Sequence, residues 1–209
     1  MRIFFAGATG VLGSQLTPLL VAAGHSVVGI TRSPERVGLL EELGAEPMVC
    51  DVFDAAGLAA AVATAAPDLV MHQLTDLPDT VAELGAAAGA ANARIRRDGT
   101  RNLLAAASAA GVGRIYAQSV AWPLDGDGGD AVADLERMII AVSGVVLRYG
   151  RFYGPGTYHP HSLPEEPRVH IDRAAELTLA ALATTSGLVT IVDDSHGDVQ
   201  RRPDGSRPL

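Results

Sequence analysis

The residues best placed to do chemistry in this 209-residue chain form a glycine loop near its start. Gly7-Ala8-Thr9-Gly10-Val11-Leu12-Gly13 is a G-x-x-G-x-x-G run. It follows the strand-like stretch Ile3–Ala6 and opens a helix-forming stretch. Glycine permits the tight turn and lets backbone N–H groups approach a pyrophosphate. The helix start adds partial positive charge, and the last glycine allows close helix–strand packing. The chemistry is dinucleotide binding, in the strand–turn–helix context it requires. The second strand ends at Ile30-Thr31-Arg32-Ser33 with no acid. An acid there grips a ribose 2′-hydroxyl and repels a 2′-phosphate, whereas Arg32 and Ser33 can pair with that phosphate. NADP(H) is therefore favoured over NAD(H), with Arg32 as an ordinary surface residue the competing reading. Asp51 and Val52 follow the third strand and fall beside the adenine. Asp51 reads equally as a helix cap.

What is missing narrows the chemistry further. All sixteen basic residues are arginine, which excludes Schiff-base chemistry, a phosphate-loop lysine and any tyrosine–lysine catalytic pair. A single cysteine, Cys50, excludes a disulfide framework and a multi-cysteine zinc site. His159-Pro160-His161 lies in a proline- and glycine-rich stretch where substrate would enter. One of these histidines can act as acid or base near neutral pH. A pair can hold a metal, but spacing fixes no third ligand, so no metal is expected. Tyr153 and Tyr158 can donate a proton from the same loop, or simply pack. His72 closes a strand where ligands bind in parallel sheets, and reads equally as core. The Asp125–Asp130 run lacks the glutamate of a calcium loop and reads as a solvated turn.

These residues need elements to position them. Ile3–Ala6, Ser26–Thr31, Pro47–Cys50, Leu69–His72, Arg114–Gln118, Val145–Tyr149 and Leu188–Val192 read as strands. Between them, Val11–Ala23, Glu35–Leu43, Ala55–Ala66, a stretch from Val81 to Ala110 broken near Gly85–Gly89, Ala131–Val142 and Asp172–Ala183 read as helices. Alternation of this kind implies an α/β, Rossmann-like, doubly wound parallel sheet of about seven strands. Residues 1–193 read as one NAD(P)-binding domain, with 154–170 a residual substrate-side loop and 194–209 a flexible tail. The formal net charge is -8 and no basic block occurs, so nucleic acid is not an expected partner. No apolar run approaches the ~20 residues of a membrane span, and no charged-then-apolar leader opens the chain. A soluble, cytoplasmic protein is the expectation.

The order of the motifs resembles the extended short-chain dehydrogenase/reductase group, also called the NAD-dependent epimerase/dehydratase family. The resemblance covers residues 1–193. It rests on GATGVLG at 7–13, DGTRNLLAAASAAGVGRIYAQS at 98–119, LRYGRFYGPGT at 147–157 and VHIDRAAELTLAAL at 169–182. It implies that Gly7, Thr9, Gly10, Val11, Leu12 and Gly13 hold pyrophosphate and ribose, and that Asp51 and Val52 hold adenine. The end of the fourth strand, His72–Leu74 with Gln73 at its centre, would pass under the nicotinamide ribose, and Tyr149–Tyr153 would wall the nicotinamide with backbone groups. Ser119 matches the family serine that ends the fifth strand.

The departures from that family carry as much information. Its tyrosine and lysine lie four apart on the helix after the serine strand, yet no tyrosine stands between Ala117 and Arg148. That region begins Val120-Ala121-Trp122, which places Trp122 on the substrate side. The family's asparagine before Gly99 is replaced by Arg96, on the side that faces the active site, where a guanidinium can clamp a carboxylate or phosphate. The substrate lobe is reduced to the loop carrying His159 and His161. Hydride transfer needs only a nicotinamide held against an electrophile. The expected function is therefore an atypical NADP(H)-dependent oxidoreductase acting on a small activated carbonyl, quinone or enone. Ser119, Tyr153 and His159 are its candidate catalytic residues. Two alternatives stay open: a redox-neutral dehydratase, cyclase or epimerase-like enzyme, and a non-catalytic NADP(H) sensor. A homodimer through the alanine-rich helices 90–110 and 131–142 is also expected.

Overall fold

A computed structural model describes residues 1–78 and 80–193, so the expected tail at 194–209 lies outside the described residues. Seven parallel strands form one sheet: β1 (Arg2–Ala6), β2 (Ser26–Thr31), β3 (Glu46–Val49), β4 (Leu69–His72), β5 (Ile115–Val120), β6 (Val145–Tyr149) and β9 (Gly187–Ile191). Their order is β3-β2-β1-β4-β5-β6-β9. Consecutive side chains of β1 point to opposite faces, as a strand requires. Ile3 and Phe5 join one buried cluster with Leu12, Leu16 and Leu20 of helix α1 (Val11–Ala22) and with helix α7 (Ile171–Ala181). Phe4 and Ala6 join a second cluster on the other face. It contains Leu58 and Val62 of α3 (Ala55–Ala65), Leu103 of α5 (Thr100–Ala109), and Leu135 and Ile139 of α6 (Gly126–Ala141). The chain is thus a Rossmann-like α/β fold, with helices covering both faces of a parallel sheet.

Helix ends follow local chemistry. Gly24, at φ +81°, ends the α1 turn, and Pro18 is accommodated within that helix. Asp54 caps α3 by accepting the Gly57 N–H at 3.0 Å. One expectation is corrected. The Asp125–Asp130 run is not a loop, because α6 begins at Gly126 and Asp125 stands at its N-cap position. Acidic side chains suit a helix N-terminus. Arg97 holds this turn from another element, donating to Asp127 at 2.7 Å and to Asp134 at 2.8 Å. The Val81–Ala110 stretch is helical and breaks where expected, at Leu84–Gly85. A 3-10 turn at Val81–Glu83 precedes α4 (Ala86–Arg94), and a π turn at Ile95–Gly99 joins α4 to α5. Two three-residue strands, β7 (Arg151–Tyr153) and β8 (Arg168–His170), pair in parallel and bracket the loop 154–167. Among the described residues no helix is long and apolar enough to cross a membrane.

Candidate active site

In open parallel sheets ligands bind beyond the carboxyl ends of the strands, where the strand order reverses. Here that point lies between β1 and β4. Gly7 leaves β1 and Gln73 leaves β4 on either side of it. Gly7 sits at φ +102°, and a Cβ there would stand 2.7 Å from the Gln73 carbonyl group. Gly13 is tighter still: its Cβ would stand 2.1 Å from the Gly7 carbonyl oxygen. Only hydrogen fits at either position. Gly10 serves as the N-cap of α1 with no side-chain cap, and the first turn of the helix contains no acid. The amides that open α1 are thus left to an anion. Thr9 and Val11 are half-buried beside this opening, and Leu12 is buried.

The far wall comes from the loop after β7. Gly156, at φ +76°, lies so close to the start of α1 that a Cβ would meet Val11 Cγ2 at 3.3 Å. The loop expected to admit substrate therefore touches the glycine cradle. Under the crevice Gln73 is buried, and a chain of hydrogen bonds fixes its orientation. Thr178 Oγ1 donates to the Ala174 carbonyl at 2.6 Å, so it accepts from the Tyr149 hydroxyl at 2.8 Å. The Tyr149 hydroxyl then accepts from Gln73 Nε2 at 3.2 Å. This leaves Gln73 Oε1 a buried acceptor with no donor among the described residues. Such a group is costly unless something donates to it. The glycine cradle and this free acceptor together fit a dinucleotide, whose ribose hydroxyls and carboxamide carry donors.

Other nominated residues have particular neighbours. Arg32 is exposed and donates to Asp76 Oδ1 at 3.2 Å across the rim. The Ser33 N–H donates to Thr31 Oγ1 at 3.1 Å. Asp51 is exposed and holds the Phe53 N–H at 2.9 Å; the helix cap is Asp54 instead. Val52 is buried, and its carbonyl accepts from Asn102 Nδ2 at 2.9 Å. The Leu74 N–H donates to His72 Nδ1 at 3.3 Å. His72 therefore carries its proton on Nε2 and donates it to Thr100 Oγ1 at 3.1 Å. Burial first, and the nearby Arg96 charge second, lower its pKa to about 4.

The candidate catalytic groups are occupied. Ser119 is buried and donates to Glu136 Oε1 at 2.6 Å. Arg148 grips both oxygens of the same carboxylate, with Nε at 2.7 Å. Sequence reading missed Glu136, whose partners come from two neighbouring strands. The Tyr153 hydroxyl donates to Asp193 Oδ2 at 2.7 Å, a bond that raises its pKa. The Tyr158 hydroxyl donates to the Pro78 carbonyl. Tyr116 donates to the Leu182 carbonyl, and Tyr149 is committed as described above. His159 is half-buried, with Nδ1 3.4 Å from Ser162 Oγ, and His161 is exposed. Among the described residues no group of three His, Cys, Asp or Glu side chains could hold a metal. Trp122 lies under the Arg151 guanidinium, 4.7 Å from the ring centre. Arg96 lies half-buried in the π turn.

Comparison with known proteins agrees with this geometry. Residues 7–137 match the model of the NAD(P)H-binding family. A Streptomyces protein named 3-diazoavenalumate denitrifying reductase is 34% identical over 93% of this chain and 76% of its own length. A Stigmatella aurantiaca protein named 4-hydroxy-2-methyl-3-oxo-4-farnesyl-3,4-dihydroquinoline-1-oxide ketoreductase is 37% identical over 46% of this chain and 32% of its own. Among solved structures, the UDP-glucose 4-epimerase of Thermus thermophilus in complex with NAD superposes with TM-score 0.72 at 20% identity, covering 92% of this chain and 78% of that one. That epimerase shares the fold of the present chain and is longer than it. Matched from its glycine cradle to the middle of α6, the chain belongs to the NAD(P)H-binding family, built on the extended short-chain dehydrogenase/reductase fold.

Proposed function

We propose that the protein is an NADP(H)-dependent reductase of a small electrophile that needs no proton from the enzyme. One observation carries the reading: every described tyrosine hydroxyl already has an acceptor, and Ser119 is tied to Glu136. The chain has no lysine to retune a phenol. A simple ketone turns into an alkoxide as hydride arrives, and that charge calls for a nearby acid. Quinones, activated carbonyls and enones spread the charge instead. A diazonium group, related to the diazo function in the name of the Streptomyces relative, takes hydride on its terminal nitrogen to give a neutral diazene, whose C–N bond then breaks as that hydrogen passes to carbon and dinitrogen leaves. The bound reduced nicotinamide supplies the hydride. The chain's own work is to grip the pyrophosphate at α1, accept a donor at Gln73 Oε1 and close the crevice with the Gly156 loop. Pairing of two copies through helices 90–110 and 131–142 belongs to the same proposal.

The test is anaerobic oxidation of NADPH with a quinone, an enone, a simple ketone and an arenediazonium salt. Turnover is expected with the activated acceptors and not with the ketone. Ser119→Ala and Tyr153→Phe should lower kcat by less than about tenfold, whereas loss of a true general acid costs about 10²–10⁴. A larger loss in either variant, or ketone reduction, overturns the reading.

Arg32 gives a second prediction. A 2′-phosphate competes with Asp76 for its guanidinium, and a charge-assisted bond at an exposed rim is worth about 1.5 kcal/mol. Arg32→Ala should therefore cut the NADPH-over-NADH ratio of kcat/KM by about tenfold. An unchanged ratio would remove Arg32 from cofactor selection.

A further inference from the structure

Arg96 stands apart from the other arginines. Among the described arginines only Arg36 and Arg96 have side chains that make no hydrogen bond, ion pair or ring contact, and Arg36 is exposed. Arg96 is half-buried. Its neighbours are served: Arg94 meets Asp98 and the Phe53 ring, and Arg97 holds Asp127 and Asp134. A guanidinium taken partly out of water with no carboxylate against it costs stability, and fixed features of this kind collect at binding sites.

Its position follows from spacing. Asn92, Arg96 and Thr100 recur every fourth residue along α4, the π turn and α5, and so share one face. The flanking two mark what that face meets. Asn92 Oδ1 accepts the Asp76 N–H at 3.1 Å, and Thr100 Oγ1 meets His72 Nε2 at 3.1 Å. His72 ends β4, and Asp76 lies in the segment that leaves it. Arg96 therefore stands beside the carboxyl end of β4, one of the two strand ends that frame the reversal crevice. Its charge is felt at His72. π turns often mark functional positions, and this one carries the unpaired cation.

We propose that Arg96 is the carboxylate-binding residue of the substrate site, so that the electrophile reduced here carries a carboxylate. A planar guanidinium offers two parallel N–H donors that match a carboxylate's two oxygens. A phosphate dianion would call for a second cation, and the arginines flanking it in sequence, Arg94 and Arg97, are already held by acids. The reductase reading supplies only the molecule to which the carboxylate belongs.

The experiment uses no turnover, so it stands apart from that reading. Wild-type protein, Arg96→Gln and Arg96→Lys are saturated with NADP⁺ and titrated calorimetrically with trans-cinnamate and with trans-cinnamamide. The wild type should bind the carboxylate at least about tenfold tighter than the amide. Arg96→Gln should lose that gap, and Arg96→Lys should keep part of it. Arg96→Gln should also melt at or above the wild-type temperature, because an uncompensated charge is removed. A wild type that binds no cinnamate or treats the two ligands alike overturns the proposal. So does a variant that keeps the gap. Weakened NADPH binding with an intact gap would hand Arg96 to the dinucleotide instead. A persistent gap in a protein that reduces no electrophile would overturn the reductase reading and leave this site standing.

Discussion

Gly13→Ala is expected to abolish NADPH binding and to lower folding stability by about 3 kcal/mol, the upper end for an overpacked core position. The added Cβ would stand 2.1 Å from the Gly7 carbonyl oxygen and 2.7 Å from the Ala8 backbone. Backbone cannot rotate away as a side-chain tip can. Either α1 moves off β1, carrying its free amides from the crevice, or the Gly7 turn opens. Both outcomes spoil the cradle. Gly10→Ala provides the contrast. Gly10 has φ -76°, which alanine adopts readily, and its Cβ would approach only the Gly7 carbonyl oxygen, at 3.3 Å. Its stability should fall by about 0.5 kcal/mol, the scale of a cap change. Its NADPH affinity should fall about tenfold, because the methyl stands at the mouth of the anion site. Urea unfolding and a fluorescence titration with NADPH measure the two quantities. Wild-type affinity in Gly13→Ala would mean that the dinucleotide does not lie on α1.

The parts of the fold that could be read in the sequence are those whose signal is local. Ile3–Ala6, Ser26–Thr31 and Leu69–His72 are short apolar runs bounded by glycine or proline, and each became a strand of the sheet. Gly7 and Gly13 announced a close backbone approach, and the missing Cβ atoms account for it. The parts that escaped depend on distant partners. DGDGGD carries strong turn chemistry, yet Arg97 reaches across to Asp127 and Asp134 and holds it as the first turns of α6. β7 and β8 are three residues each, too short for periodicity, and exist through pairing with one another. The π turn leaves no mark in composition. Ser119 and Tyr153 could be nominated from their types and places. That Glu136 and Asp193 occupy their hydroxyls depends on helix packing and on the return of the chain after β9. Side-chain commitment of this kind is tertiary information.

Acid should destabilise the protein steeply through His72. Its folded-state pKa is about 4, against 6.5 for an ordinary histidine, with burial the larger cause and Arg96 the smaller. The unfolded chain therefore takes up a proton as pH falls below about 6.5, and the folded chain refuses it until about 4. Stability from this group is complete above the upper value and declines as pH falls through the window. Below the lower value it changes no further. One site that binds its proton only in the unfolded chain loses about 1.4 kcal/mol for each pH step across that window, so the loss by pH 4 is about 3 kcal/mol. Carboxylates titrate in the same range, and His25, with its pKa lowered by burial and by the amino terminus, adds a smaller effect. His72→Gln isolates the contribution. Glutamine can accept the Leu74 N–H and donate to Thr100, as His72 does, without titrating. Urea unfolding of both proteins at about pH 7 and about pH 4 should show the variant losing about 3 kcal/mol less. Equal losses would mean that His72 protonates freely in the folded state. Arg96 ties this result to the substrate site, because its charge is part of what keeps the imidazole neutral. A carboxylate seated on Arg96 would cancel that part and raise the folded-state pKa of His72, so saturating cinnamate should narrow the window from its low-pH side and shrink the His72 loss.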